Sequence, residues 1–104
     1  MAKTRVIIKR PDEEFGHVSN ISTKLGNLQT TVGGHIECVS PDPRIVIICN
    51  EEGKLMGLPE NIRIPGDAIV GTLIVIGVHG DEFCDVPISF DDWKELVRRW
   101  RQDD

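Results

Sequence analysis

The sequence lacks a basic surplus, a paired-cysteine motif, a long apolar run and any short motif that announces a common chemistry. Lys and Arg number 12 against 17 Asp and Glu, a formal charge of −5. Binding along a phosphate backbone needs a basic field, so the charge argues against a general nucleic-acid coat and leaves a local basic pocket open. The three cysteines, Cys38, Cys49 and Cys84, form no CxxC pair, and two lie in strand-like apolar stretches. They read as reduced thiols packed as small hydrophobes. The longest apolar run, 68–78, is about half of what a membrane-spanning helix needs, so no membrane partner is expected. Nor is a signal peptide visible, because Met1-Ala2-Lys3-Thr4-Arg5 leads into only Val6-Ile7-Ile8 before charge returns. A cytoplasmic protein is expected.

What is present fits one domain over residues 1–104, with 39% hydrophobic and 28% charged residues. Residues 5–10 read as a half-buried first strand with Val6 and Ile8 on one face and Arg5, Ile7 and Lys9 on the other. Residues 15–21 return as an edge strand. A short amphipathic helix near 22–32 follows, with Ser22 as N-cap, Leu25, Leu28, Gln29 and Val32 as its stripe, and Gly33-Gly34 as its stop. Residues 35–39 and 45–49 make an antiparallel pair across the turn Ser40-Pro41-Asp42-Pro43. Four residues beyond the second strand, Gly53 suits the left-handed position of a short hairpin loop. After a Pro65-Gly66 turn, 68–78 reads as one long strand broken at Gly71 by a bulge or a close backbone approach.

A second helix near 90–102 is the clearest element. Ser89-Phe90-Asp91-Asp92 is a capping box in its acidic form, Ile88 and Trp93 occupy the staple positions, and Phe90, Trp93, Leu96 or Val97, and Trp100 form the stripe. The fold class is therefore α+β, a mostly antiparallel sheet of four to six strands with these two helices. Strands 45–49 and 68–78 are apolar on both faces. If the helices cover one face, the other needs a second copy, so a homo-oligomer, most simply a dimer, is expected.

Candidate binding groups gather after the second central strand. Asn50, Glu51, Glu52, Lys54 and Asn61 lie on or beside a loop carried by a rigid strand, where binding groups are commonly displayed. The bland alternative is a solvated hairpin tip with Asn50 and Asn61 bonding local backbone. Lys3, Arg5 and Lys9 serve either for edge protection or, in the sharper reading, Arg5, Lys9, Lys54 and Arg63 meet at a subunit interface to take an anionic small molecule. Glu51 and Glu52 are adjacent and diverge in a hairpin, so paired acid and base work is not expected of them. No nucleophile motif, phosphate loop or metalloprotease helix is present, so no catalytic residue or cofactor is assigned. His17, His35 and His79 have no cysteine at ligand spacing on a shared face, and the Gly80-Asp81-Glu82 turn lacks a full ligand loop, so no metal site is expected.

Three blocks, Val32-Gly33-Gly34-His35-Ile36-Glu37, then Cys49-Asn50-Glu51-Glu52-Gly53-Lys54-Leu55 with Gly57-Leu58-Pro59 and Asn61, then Ile69-Val70-Gly71-Thr72, together resemble a small α/β domain family of unknown function. Such domains occur in bacteriophages, conjugative elements and bacteria that carry them. The resemblance runs from about residue 25 to 78, and His35 departs from the aromatic residue of the pattern. It implies a mobile-element accessory protein, working in the host cytoplasm if a phage encodes it, and it transfers no catalytic residue. The leading expectation is a non-enzymatic protein that counters host antiviral defence by sequestering a small nucleotide-like signal. Alternatives are an inhibitor that binds a host defence or restriction enzyme directly, and a small hydrolase of a nucleotide signal.

Overall fold

The computed structural model describes residues 2–102. Strands β1 (Thr4–Lys9), β2 (His17–Ile21), β3 (Ile36–Val39), β4 (Val46–Asn50), β7 (Leu73–His79) and β8 (Glu82–Cys84) form an antiparallel sheet in the order β2-β1-β7-β4-β3, with β8 paired to β7. Strands β5 (Glu60–Ile64) and β6 (Asp67–Val70) form a separate antiparallel pair. Helices α1 (Leu25–Val32) and α2 (Phe90–Gln102) complete an α+β fold.

Period-two alternation divides the central strands between two cores. Ile7 of β1, Ile47 and Cys49 of β4, and Leu73 and Val75 of β7 face α2, where they pack with Trp93, Leu96, Val97 and Trp100 and with Ile62 and Ile69 of the small sheet. Val6 and Ile8, Ile48, and Ile74 and Ile76 point to the opposite face and pack with Leu28 and Val32 of α1. The helices therefore lie on opposite faces, not on one as the sequence suggested. That removes the packing reason for a second copy, because the apolar strands are covered inside one chain. Burying each such aliphatic side chain contributes about 1.5–3 kcal/mol, so both faces matter to stability.

Local chemistry explains the helices unequally. In α2 the Ser89 hydroxyl accepts the Asp92 N–H at 3.0 Å, the expected cap, and Asp91 and Asp92 sit in the first turn with Arg99 and Arg101 in the last. Its two tryptophans meet edge to face at 6.0 Å, and Trp93 Nε1 donates to the Phe15 carbonyl at 2.8 Å. In α1 the cap position is Lys24, not Ser22, and no side chain caps it; the Ser22 hydroxyl instead accepts the Lys24 N–H. Leu25 is exposed, which narrows the buried stripe to Leu28 and Val32. Gly33 does close the helix in the left-handed conformation, its N–H bonded to the Gln29 carbonyl.

Residues 68–78 are two strands in two sheets, not one bulged strand. Gly71 has φ +73°, its N–H bonds the Pro59 carbonyl at 2.8 Å, and a Cβ there would lie 2.7 Å from Leu58 Cδ1. The chain turns sharply under Leu58 and passes from the small sheet to the main one. The loop after β4 is likewise no hairpin, since β4 and β5 belong to different sheets. Gly53 is outside the left-handed region. Its role is close approach, because a Cβ would sit 2.8 Å from Val70 Cγ2, and the positive φ of the loop falls on Gly57. The Gly80-Asp81 turn proves to be the tip of the β7–β8 hairpin, with His79 opposite Glu82.

Candidate functional site

The small sheet leans against the β3–β4 side of the main sheet and leaves a cleft of about 250 Å³. Strand β3 lends Glu37 and Val39, β4 lends Cys49 and Asn50, the following loop lends Glu51, Lys54 and Leu55, and β6 lends Asp67 through Val70. The walls are thus apolar and the rim charged. Three carboxylates (Glu37, Glu51, Asp67) and one ammonium (Lys54) leave the lining with a formal charge of −2.

Lys54 and Asp67 pair across the rim, and Asp67 Oδ1 also accepts the Ala68 N–H at 2.7 Å. The pairing holds the Asp67 carboxyl below the usual carboxylate range and raises the Lys54 ammonium. Burial, reinforced by Glu37, pushes the Cys49 thiol up to about 11, which keeps it protonated and a poor nucleophile at neutral pH. Cys38, opposite Ile48 on the edge strand, is raised as well, first by burial and then by Glu37.

Of the residues expected at the site, the cleft collects Asn50, Glu51 and Lys54. Asn50 is 5% exposed and its side chain is fully engaged: Nδ2 donates to the Val32 carbonyl at 3.3 Å and Oδ1 accepts the Glu52 N–H at 2.8 Å. It fastens the loop to the end of α1, and a Cβ on Gly34 would lie 2.9 Å from its amide nitrogen. Glu52 is exposed, 4.0 Å from His35 Nδ1, and is not part of the cleft lining.

Asn61 and Lys9 form a separate node. Lys9, expected on an exposed strand face, is 1% exposed and its Nζ donates to Asn61 Oδ1 at 2.8 Å and, at 3.4 Å each, to the Arg10 and Asn61 carbonyls. Asn61 Nδ2 donates to the carbonyls of Lys9 and Gly71, both at 2.7 Å. Burial lowers the Lys9 pKa, and nearby Arg101 lowers it further against Glu13 and Asp12. Arg63 pairs with Glu60 at 3.3 Å on β5, and Arg5 donates to the Val86 carbonyl at 3.1 Å. Within one chain the cations Arg5, Lys9, Lys54 and Arg63 do not converge on the cleft.

Sequence reasoning missed Glu37, Cys49 and Asp67 as site residues. Glu37 carried a usable signal, since in the expected β3–β4 pairing it falls opposite Cys49, two residues from Glu51. Asp67 carried none, because its place depends on how the small sheet docks. Among the described residues no three His, Cys, Asp or Glu side chains converge as a metal-binding group.

A second groove, about 280 Å³, lies on the other side of the loop, between Thr30 to Gly33 at the end of α1 and Leu58-Pro59 and Gly71-Thr72. No helix of the described residues is long and apolar enough to cross a membrane. Residues 3–98 match the family model described as Domain of unknown function (DUF3846). No curated protein and no solved structure matches the chain.

Proposed function

The chain belongs to the DUF3846 family of domains of unknown function, and on that footing we propose that it is a non-enzymatic protein that binds and sequesters a small nucleotide-like signalling molecule in the cleft between its two sheets. The observation that carries the proposal is the make-up of the cleft: one ammonium, Lys54, and three carboxylates around apolar walls. A purely anionic ligand would meet two uncompensated carboxylates. A nucleotide-like ligand brings a flat apolar body, an anion for Lys54 and N–H donors for Glu37 and Glu51. The protonated Cys49 thiol offers it no nucleophile. A role against host antiviral defence, in a phage or mobile element, is proposed from the resemblance of the three sequence blocks.

The test is to incubate the purified protein with a nucleotide library, wash, denature by heat and identify what is released. Intact nucleotide supports sequestration, and cleaved nucleotide would replace it with a small hydrolase. If nothing is retained, the proposal fails. A second reading, direct inhibition of a host defence or restriction enzyme, is favoured by Leu55 and Met56, which are 88% and 57% exposed on the loop of an acidic protein.

A further inference from the structure

We infer that the Lys54–Asp67 ion pair is a side-chain latch over the mouth of the cleft, which the anionic group of a ligand displaces. For its ligand this rests on the binding reading above, but its geometry stands alone. Lys54 comes from the loop on one rim, Asp67 from the first residue of β6 on the other, and Cys49 lies in the same lining, 6% exposed. Both charges are near enough to act on the Cys49 thiol.

The two partners differ in freedom. Asp67 is tied to its own strand by the Ala68 N–H, 2.7 Å from the same oxygen that Lys54 holds. The loop backbone under Lys54 is also fixed, by Glu51 N–H to the His35 carbonyl at 2.8 Å, Met56 N–H to the Glu52 carbonyl at 2.9 Å and Leu58 N–H to the Gly53 carbonyl at 3.0 Å. What can swing is the Lys54 side chain, 61% exposed and flexible along its four-carbon stem. Exposed ion pairs are weak and screened by salt, so the latch opens readily. An incoming phosphate or carboxylate exchanges with Asp67 for Lys54 and holds the side chain away from the mouth. An uncharged ligand offers Lys54 only a neutral acceptor, a weaker partner than a phosphate or carboxylate. The latch therefore favours a ligand that carries an anion over the corresponding nucleoside.

The test reads access to Cys49 without any ligand. Alkylation by iodoacetamide, a neutral reagent, is followed at Cys49 by peptide mass spectrometry, with exposed Cys38 in the same molecule as reference. Molar sodium chloride on the native protein, and Lys54→Met in low salt, should each raise the Cys49 rate relative to Cys38 by about two- to fivefold, the factor that releasing an exposed pair corresponds to. The variant separates access from electrostatics: the Lys54 charge favours the thiolate, so its loss without any opening slows the reaction. Unchanged or slower alkylation of Lys54→Met overturns the latch, whatever salt does and even if nucleotides are retained, because salt also screens the Glu37 and Asp67 charges that raise the thiol. Faster alkylation with no nucleotide retained leaves the latch standing and removes the binding proposal.

Discussion

Replacing Asn61 with Ala should damage the fold, not a binding site. The side chain accepts one bond from the buried Lys9 ammonium at 2.8 Å and donates two, to the carbonyls of Lys9 and Gly71, at 2.7 Å each. A hydrogen bond to a charged group is worth about 1.5–3 kcal/mol and a neutral one about 0.5–1.5. Water can replace part of this at a partly buried node, so the expected loss is about 2–4 kcal/mol. In a domain of this size that lowers Tm by about 10 °C or more. Urea unfolding of the native protein, Lys9→Met, Asn61→Ala and the double variant would give the coupling directly, expected at about 1–3 kcal/mol. Additive effects, or a Tm for Asn61→Ala within a degree or two of the native value, would refute the clamp. Weakened nucleotide retention at unchanged Tm would restore Asn61 to the binding role that the sequence suggested.

Lys54→Ala should weaken retention of an anionic ligand about ten- to a hundredfold at nearly unchanged Tm, while Lys24→Ala leaves it alone; equal effects would mean that only bulk charge matters. Gly71→Ala forces a side chain into the left-handed region and against Leu58, and should cost about 2–4 kcal/mol in urea unfolding. Trp93→Ala should cost about 3–5 kcal/mol, since the ring is fully buried, and an unchanged melting temperature would contradict the packing of α2. Burial raises the Cys49 thiol from 9.0 to about 11 in the folded state, so the stability linked to its proton is fully present below pH 9 and is lost as pH climbs through about 11. Between these values the native protein should lose stability faster than Cys49→Val, measured as urea midpoints; parallel curves would show that the thiol is not desolvated.

The parts of the fold legible in the sequence are those fixed by neighbours along the chain. Ser89 caps α2 through a residue three away, and the β3–β4 pair follows from two apolar strands joined by a proline turn. Ser22 misled because the chain enters α1 two residues later, with Lys24 at the cap. At Gly71 the sequence signals a bulge or a close backbone approach without deciding between them, because the neighbours that decide it, Leu58 and the Pro59 carbonyl, lie in a loop whose path no local rule sets. For the site, the loop was legible and the opposing wall was not. Asn50 and Asn61 are polar groups beside a core strand, and composition cannot say whether such groups face a ligand or the backbone. In both cases the backbone took them.

The strand order carries a consequence for how the chain acquires its shape. The pairs β1–β2 and β3–β4 are each made of sequence neighbours, yet in the sheet they are held apart, and β7 is the piece that lies between them. As the polypeptide emerges from the ribosome, the residues of both local pairs precede those of the strand that joins them. Each leaves an unfinished edge and an apolar surface waiting for residues 73–79. Closure of the main sheet therefore waits on β7, which partners both inner edges, and covering one of its faces waits further on residues 90–102 of α2. A nascent chain that stops short of β7 holds the sequence of most of the sheet and almost none of its stability.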